Sequence, residues 1–154
     1  MKKYLMLLVI TVGINTVSFA QTKEKNDDDK QNEKKEKVTV PIAVKQAFAK
    51  QFPGTTAEWE KEDGKYEANF KQMNHEMSAL FEANGTMIES EIEITINELP
   101  AAATSYIKTN HKGAVIKSAA KITRSNGEVN FEAEVHGKDI IFDNNGKFLK
   151  ESDD

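Results

Sequence analysis

VPIAVKQAFAKQFPG, residues 40–54, decides the fold, because the chain repeats its pattern as LPAAATSYIKTNHKG at residues 99–113. In the first copy Pro41 suits the opening turn of a helix, where its missing N–H costs nothing. Val44, Ala47, Phe48 and Phe52 recur at spacings of three, one and four, one apolar stripe of a 3.6-residue helix. Lys45, Gln46, Lys50 and Gln51 fall on the rest of the surface, and Pro53-Gly54 stops the helix. In the second copy Ala103, Tyr106 and Ile107 form the matching stripe behind Pro100, with Gly113 beyond the end.

Past each helix the hydrophobic period changes to two. Ala57 and Trp59 alternate with Glu58, Glu60 and Glu62 as far as Asp63-Gly64, a hairpin signal. Tyr66, Ala68 and Phe70 alternate with Glu67, Asn69 and Lys71, and a longer turn at Met73–His75 leads to Met77, Ala79 and Phe81. Asn84-Gly85 then turns the chain into Met87–Ile96, where Ile92, Ile94 and Ile96 alternate with Glu91, Glu93 and Thr95. The second copy runs in parallel. Ile116, Ser118, Ala120 and Ile122 take the apolar phase, and Lys117, Ala119, Lys121 and Thr123 the outward one. Asn126-Gly127 follows, then Val129, Phe131, Ala133 and Val135, then Ile140 and Phe142, with Phe148 after a last Asn-Gly turn.

The offset between copies is 59 residues in the helix, 65 in the second strand and 61 at FEANG and FDNNG. It moves only within hairpins, where insertions are tolerated best. The reading is an α+β fold, a tandem repeat of a helix plus a four-stranded antiparallel sheet, residues 38–96 and 97–154. Units of about 55 residues are marginal alone, which predicts one continuous sheet or one shared core. The helices pack on one sheet face, and the other, rich in carboxylates, meets water.

The remaining chain is leader and spacer. Residues 1–20 place Lys2 and Lys3 before the apolar run Tyr4–Ile14, with small Ser18 and Ala20 before a cut at Gln21. That is the secretory signal-peptide pattern, with a run too short for a membrane span. Residues 21–37 hold six lysines, six acids and no aliphatic or aromatic side chain, the composition of a disordered linker. Asp27-Asp28-Asp29 lacks the Gly turn and terminal Glu of a calcium loop. Removal of the leader leaves 19 basic against 25 acidic side chains, a net of −6. Such a domain does not suit nucleic acid or anionic lipid. With no cysteine, disulfides, thiolate chemistry and Cys-ligated zinc are excluded.

The pieces V-P-x-x-V…F…F-P-G, W-x-x-x-D-G-x-Y-E, L-F-x-x-N-G-x-x-I-x-x-E and L-P resemble the beta-lactamase-inhibitor-like, PepSY-like family of secreted proteins from Gram-negative bacteria. The resemblance runs from Val38 to Lys150. It implies a curved antiparallel sheet with helices on one side, and a protein-binding or hydrolase-inhibiting role for the open face.

Candidate chemistry is sparse. His75 and His136 share a hairpin position by the 61-residue offset, which offers a paired metal or small-ligand site with Glu76, but no His-x-His or His-x₃-His spacing supports it. His111 stands opposite Phe52 and reads as a helix-end residue. The serines lack a Gly-x-Ser-x-Gly setting and an evident base, so no catalytic residue, metal ligand or cofactor is assigned. Trp59 and Tyr66 share the apolar phase and read as core. The outward residues give an acidic half, Glu58, Glu60, Glu62 and Glu67, and a more basic patch around Lys117 and Lys121, with Glu132 and Glu134 nearby. These eight are the candidate protein-binding residues, suited to a charged partner whose association they would steer. The expected partner is a periplasmic or secreted protein or peptide.

Overall fold

The computed structural model describes residues 38–153, apart from the side chain of Glu62. The leader, the linker and Asp154 lie outside the described residues. Helix α1, Ile42–Gln51, is followed by β1 (Ala57–Glu62), β2 (Lys65–Gln72), β3 (His75–Phe81) and β4 (Met87–Ile94). A short 3₁₀ turn, Ile96–Glu98, leads to α2 (Ala101–Asn110), then β5 (Ile116–Arg124), β6 (Val129–Val135), β7 (Lys138–Asp143) and β8 (Phe148–Asp153). The strands form one antiparallel sheet in sequence order, β1 to β8. The continuous sheet is as expected. The core is not shared.

Each helix makes its own core on the same side of that sheet. Val44, Phe48 and Phe52 pack on Tyr66, Ala68, Phe70, Ala79 and Phe81. Ala103 and Ile107 pack on Ala119, Ala133, Val135, Ile140 and Phe142. Phe48 is the hub of the first core, with ring centroids 5.3 Å from Phe52, 5.1 Å from Phe70 and 5.4 Å from Trp59. Trp59 and Tyr66 are core residues, as their phase required. In the second core Ile107 stands at the position of Phe48, and Tyr106 beside it stacks on Phe148 at 4.8 Å. Phe52 and His111 both cap the C-terminus of their helix.

Turn chemistry fixes the strand order. Asn84, Asn126 and Asp143 accept backbone N–H bonds within their own turns, from Thr86, Glu128 and Asn145. Each of these turns closes with a left-handed glycine, Gly85, Gly127 or Gly146. The β2–β3 turn is shorter than the sequence suggested, because Met73 and Asn74 alone make it, at φ of 48° and 67°. That is the two-residue, left-handed hairpin turn whose twist matches the flanking strands. A methionine there carries steric strain of about 1 kcal/mol or more. Replacing the pair by Met73→Asn with Asn74→Gly is expected to raise stability by about 1 kcal/mol, read from denaturant melts.

Three irregularities shift the register, between Leu80 and Phe81, between Ile116 and Ser118, and between Ile141 and Phe142. Bulges of this kind bend and twist a strand. The second also changes which side chains of β5 face the helices. Lys117 is skipped in the pairing, so Ala119 and Lys121, opposite Ala133 and Phe131, fall on the helix side. Ser118, Ala120 and Ile122 take the other side, opposite Glu134, Glu132 and Asn130. The sequence reading had these two sets reversed.

Candidate protein-binding face

The register places the far-side residues strand by strand. Glu58 and Glu60 on β1 stand opposite Asn69 and Glu67 on β2. These continue through Ser78 and Leu80 on β3 to Glu91 and Glu89 on β4. Across the joint between the halves, Glu89, Glu91 and Glu93 meet Arg124, Ile122 and Ala120. Glu132 and Glu134 on β6 then lie opposite Ile141 and Asp139 on β7. A groove of about 790 Å³ occupies this side, lined by Glu58 and Glu60 at one end and by Ser118, Ala120 and Glu132 at the other. In a flat sheet β1 and β6 would be about 24 Å apart, five spacings of about 4.8 Å. Their sharing one groove shows that the sheet curves, concave on the helix-free side.

Of the candidate residues, Glu58, Glu60, Glu67, Glu132 and Glu134 lie on this face, the last two buried. The side chain of Glu62 lies outside the described set. Lys117, displaced by the bulge, still reaches the face and donates to Glu134 Oε1, while Ser118 Oγ donates to Glu134 Oε2 at 2.9 Å. Lys121 does not belong here, since it follows Ala119 onto the helix side. Of the basic patch expected around β5 only Lys117 reaches the face, where it is joined by Arg124 and both are paired with carboxylates, Glu134 and Glu89.

Residues passed over by the sequence reading complete the face. Glu89, buried on β4, ion-pairs with Arg124 Nη1 at 3.1 Å across the joint, without the alignment of a hydrogen bond. Asn130 is fully buried beside it and accepts from Arg124 Nε at 3.2 Å. The alternation Glu89-x-Glu91-x-Glu93 was the available signal. Asp139 was hidden by the apolar run that follows it. Ala120, Ile122 and Ile141 are buried on this side too, outside both helix–sheet cores.

Burial, followed by the carboxylates of Glu132, Glu67, Glu89 and Asp139, holds the Glu91 carboxyl well above the usual range. The folded state thus binds a proton that the unfolded chain releases near pH 4.3. Stability from this group is fully present below that pH and is lost as pH rises through the higher folded value. Glu91→Gln, a neutral isostere, is expected to flatten the fall in melting temperature with pH above about 4.3 and to melt higher at pH 7.

The histidines separate. His136 is itself a turn residue, with φ of 56°, and Gly137 completes its turn, so Met73-Asn74 is the counterpart of His136-Gly137. His75 is instead the first residue of β3, its Nδ1 3.4 Å from the Glu93 carbonyl. His75 and His136 are therefore not equivalent positions, and their hairpins, β2–β3 and β6–β7, stand four strands apart in the sheet. Among the described residues no three His, Asp or Glu side chains are grouped to hold a metal. His111 lies 3.5 Å from Glu151, which accepts a 2.7 Å bond from Lys138.

The sequence matches the family described as beta-lactamase-inhibitor-like, PepSY-like over residues 9–89 and again over 74–150. The chain belongs to this family. A BLIP-like protein from Bacteroides fragilis is similar at 26% identity and a TM-score of 0.58, over 75% of this chain and 87% of the other. A protein of Bacteroides eggerthii described as periplasmic shares the fold at 17% identity and a TM-score of 0.68, over 75% and 90% of the two chains. No functionally curated protein matches. The PepSY-like chain is periplasmic or secreted, in keeping with the description of the Bacteroides eggerthii protein. No helix among its described residues is long and apolar enough to cross a membrane.

Proposed function

We propose that this PepSY-like protein is a non-catalytic binding module that takes a protein or peptide on the concave, helix-free face of its sheet, an exported hydrolase being one class of partner. The observation that carries the reading is the groove itself. It spans β1 to β6 on the side left open by both helices, and it is walled by carboxylates rather than by a nucleophile, a base and an oxyanion hole. Family membership and the BLIP-like relative support an inhibitor-like role. On the same reading residues 38–96 and 97–154 are copies of one helix-plus-four-strand unit. Gly85 against Ala43 and Gly146 against Ala102 support this as equivalent turn-to-helix contacts.

Affinity capture from periplasmic extract tests the proposal. Neutralising Glu58, Glu60, Glu67 and Glu132 to Gln is expected to reduce recovery of a specific partner at least tenfold. Unchanged recovery of every partner would show that binding uses another surface.

A further inference from the structure

We infer that the ion pair of Arg124 with Glu89 is a register lock, which decides the residues of the two halves that stand side by side on the concave face. The lock is a property of the fold, and its consequence for binding rests on the reading above. Within each half, tight turns set how neighbouring strands pair. The joint has no such turn, because β4 reaches β5 only through residues 95–115 and α2. Nor do the halves share a core, Met87 at the start of β4 packing against the first and Ile94 at its end against the second. A slip of one residue would carry Glu89, Glu91 and Glu93 to the helix side, which the hydrophobic pattern forbids. A slip of two leaves every side chain on its own face, so that pattern does not decide it.

The two directions of that slip are closed differently. In one, Arg124 moves opposite Glu91 and the ladder runs on into Thr95 and Ile96. Thr95 is held out of the strand there, since its backbone N–H and its hydroxyl both donate to Glu98 Oε2, at 2.8 and 2.7 Å. The other direction needs only Met87 and Ile88, which are already strand residues. It would set Arg124 opposite Met87 and Glu89 opposite Ile122. Glu89 is 7% exposed, and a buried carboxylate stripped of its cation is strongly disfavoured. In the observed register Arg124 Nη1 lies 3.1 Å from Glu89. Asn130 aims the guanidinium from the neighbouring strand, accepting from Arg124 Nε at 3.2 Å and donating to Glu128 Oε1 at 3.3 Å. Such pairs add little stability over packed apolar residues, and fixing register is their best-attested use. Slipping by two would slide one half along the other by about 7 Å, moving Ser118 and Glu132 past Glu58 and Glu60 in the groove.

Because the chain has no cysteine, introduced pairs report the register by cross-linking. Ser90 and Thr123 are direct cross-strand neighbours, within the Cα span of about 4.4–6.8 Å that a disulfide allows. Ser90 and Lys121 are diagonal neighbours, at roughly 7–8 Å, and become direct ones after the open slip. Under diamide, Ser90→Cys with Thr123→Cys is expected to cross-link at least tenfold more than Ser90→Cys with Lys121→Cys. Adding Glu89→Met and Arg124→Leu removes both charges and makes either register apolar. That background is expected to melt within about 5 °C of its parent and to raise cross-linking of the Ser90→Cys, Lys121→Cys pair at least fivefold. An unchanged ratio between the two cysteine pairs would assign the register to Ile94 and the second core and overturn the inference. Loss of the cooperative melt would make the ion pair a source of stability rather than a lock, and would also overturn it. Register is read here without a partner, so a failed lock is told apart from a failed binding face, which affinity capture tests.

Discussion

Gly146→Ala is expected to lower the melting temperature by about 10–20 °C, whereas Gly127→Ala, in a turn of the same type, should lower it by less than half as much. Both glycines are left-handed, at φ of 81° and 84°, so both substitutions cost about 1–2 kcal/mol in backbone strain. They differ in what a Cβ would meet. At Gly127 there is open space, but at Gly146 the added carbon would lie 2.7 Å from the Ala103 backbone nitrogen and 2.8 Å from Pro100 Cβ. Those atoms belong to the first turn of α2, which cannot retreat without lifting its stripe from the sheet. Overpacking adds about 1–3 kcal/mol, for a total of about 2–5 kcal/mol. Gly85→Ala repeats the experiment in the first half, with a Cβ 2.7 Å from the Ala43 carbonyl oxygen. Thermal melts of the four variants, with Gly64→Ala as a second open-space control, check the ordering. Equal melting temperatures for Gly127→Ala and Gly146→Ala would mean that α2 does not rest on its turn.

Phe48→Ala is expected to cost about 3–5 kcal/mol, the range for removing a buried aromatic ring. Phe48 is 5% exposed and lies within ring-contact distance of Phe52, Trp59, Phe70 and Phe81, so the cavity opens at the centre of the first core. Phe48→Leu retains most of the volume and should cost about 1.5 kcal/mol. Trp59 is the only tryptophan, and its ring meets Phe48 edge-on at 5.4 Å, which supplies a local probe. Phe48→Ala should change Trp59 emission in the native state. Ile107→Ala, in the second core, should destabilise the protein and leave native emission unaltered. Because all eight strands form one sheet, urea melts followed by fluorescence and by circular dichroism should still coincide. Two separated transitions would show that the halves fold independently.

The elements were legible because each is encoded locally. A proline start, a 3.6-residue stripe and a closing glycine specify α1 and α2, and period-two alternation with Asp-Gly and Asn-Gly turns specifies the hairpins. Trp59 and Tyr66 could be assigned to the core from phase alone, since strand side chains alternate strictly between faces. Phase is also where the reading failed. From Ile116 to Thr123 the alternation is unbroken in sequence, yet one skipped residue at Lys117 exchanges the faces of Ser118 to Thr123. Nothing in IKSAAKIT marks the bulge, because Ser, Ala and Lys tolerate either side. His75 and His136 were matched for a related reason, since the 61-residue offset of the last turn was carried to a hairpin tip whose own offset is two residues larger.

The candidate face divides along the same line. Its acidic character follows from Glu58, Glu60, Glu67, Glu132 and Glu134, all visible as outward residues. That Glu89 and Asp139 join them, that Lys121 leaves, and that β1 and β6 close on one groove depend on contacts between residues far apart in the chain. By itself the sequence determined the helices, most of the strands, the turns and the helix-bearing side of the first half, because propensity and periodicity act over a few residues. Only the tertiary structure decided the order of the joint, the phase of β5 and the concavity of the open face. Register and bulges are set by pairing across strands, and their energies balance only when both partners are in place.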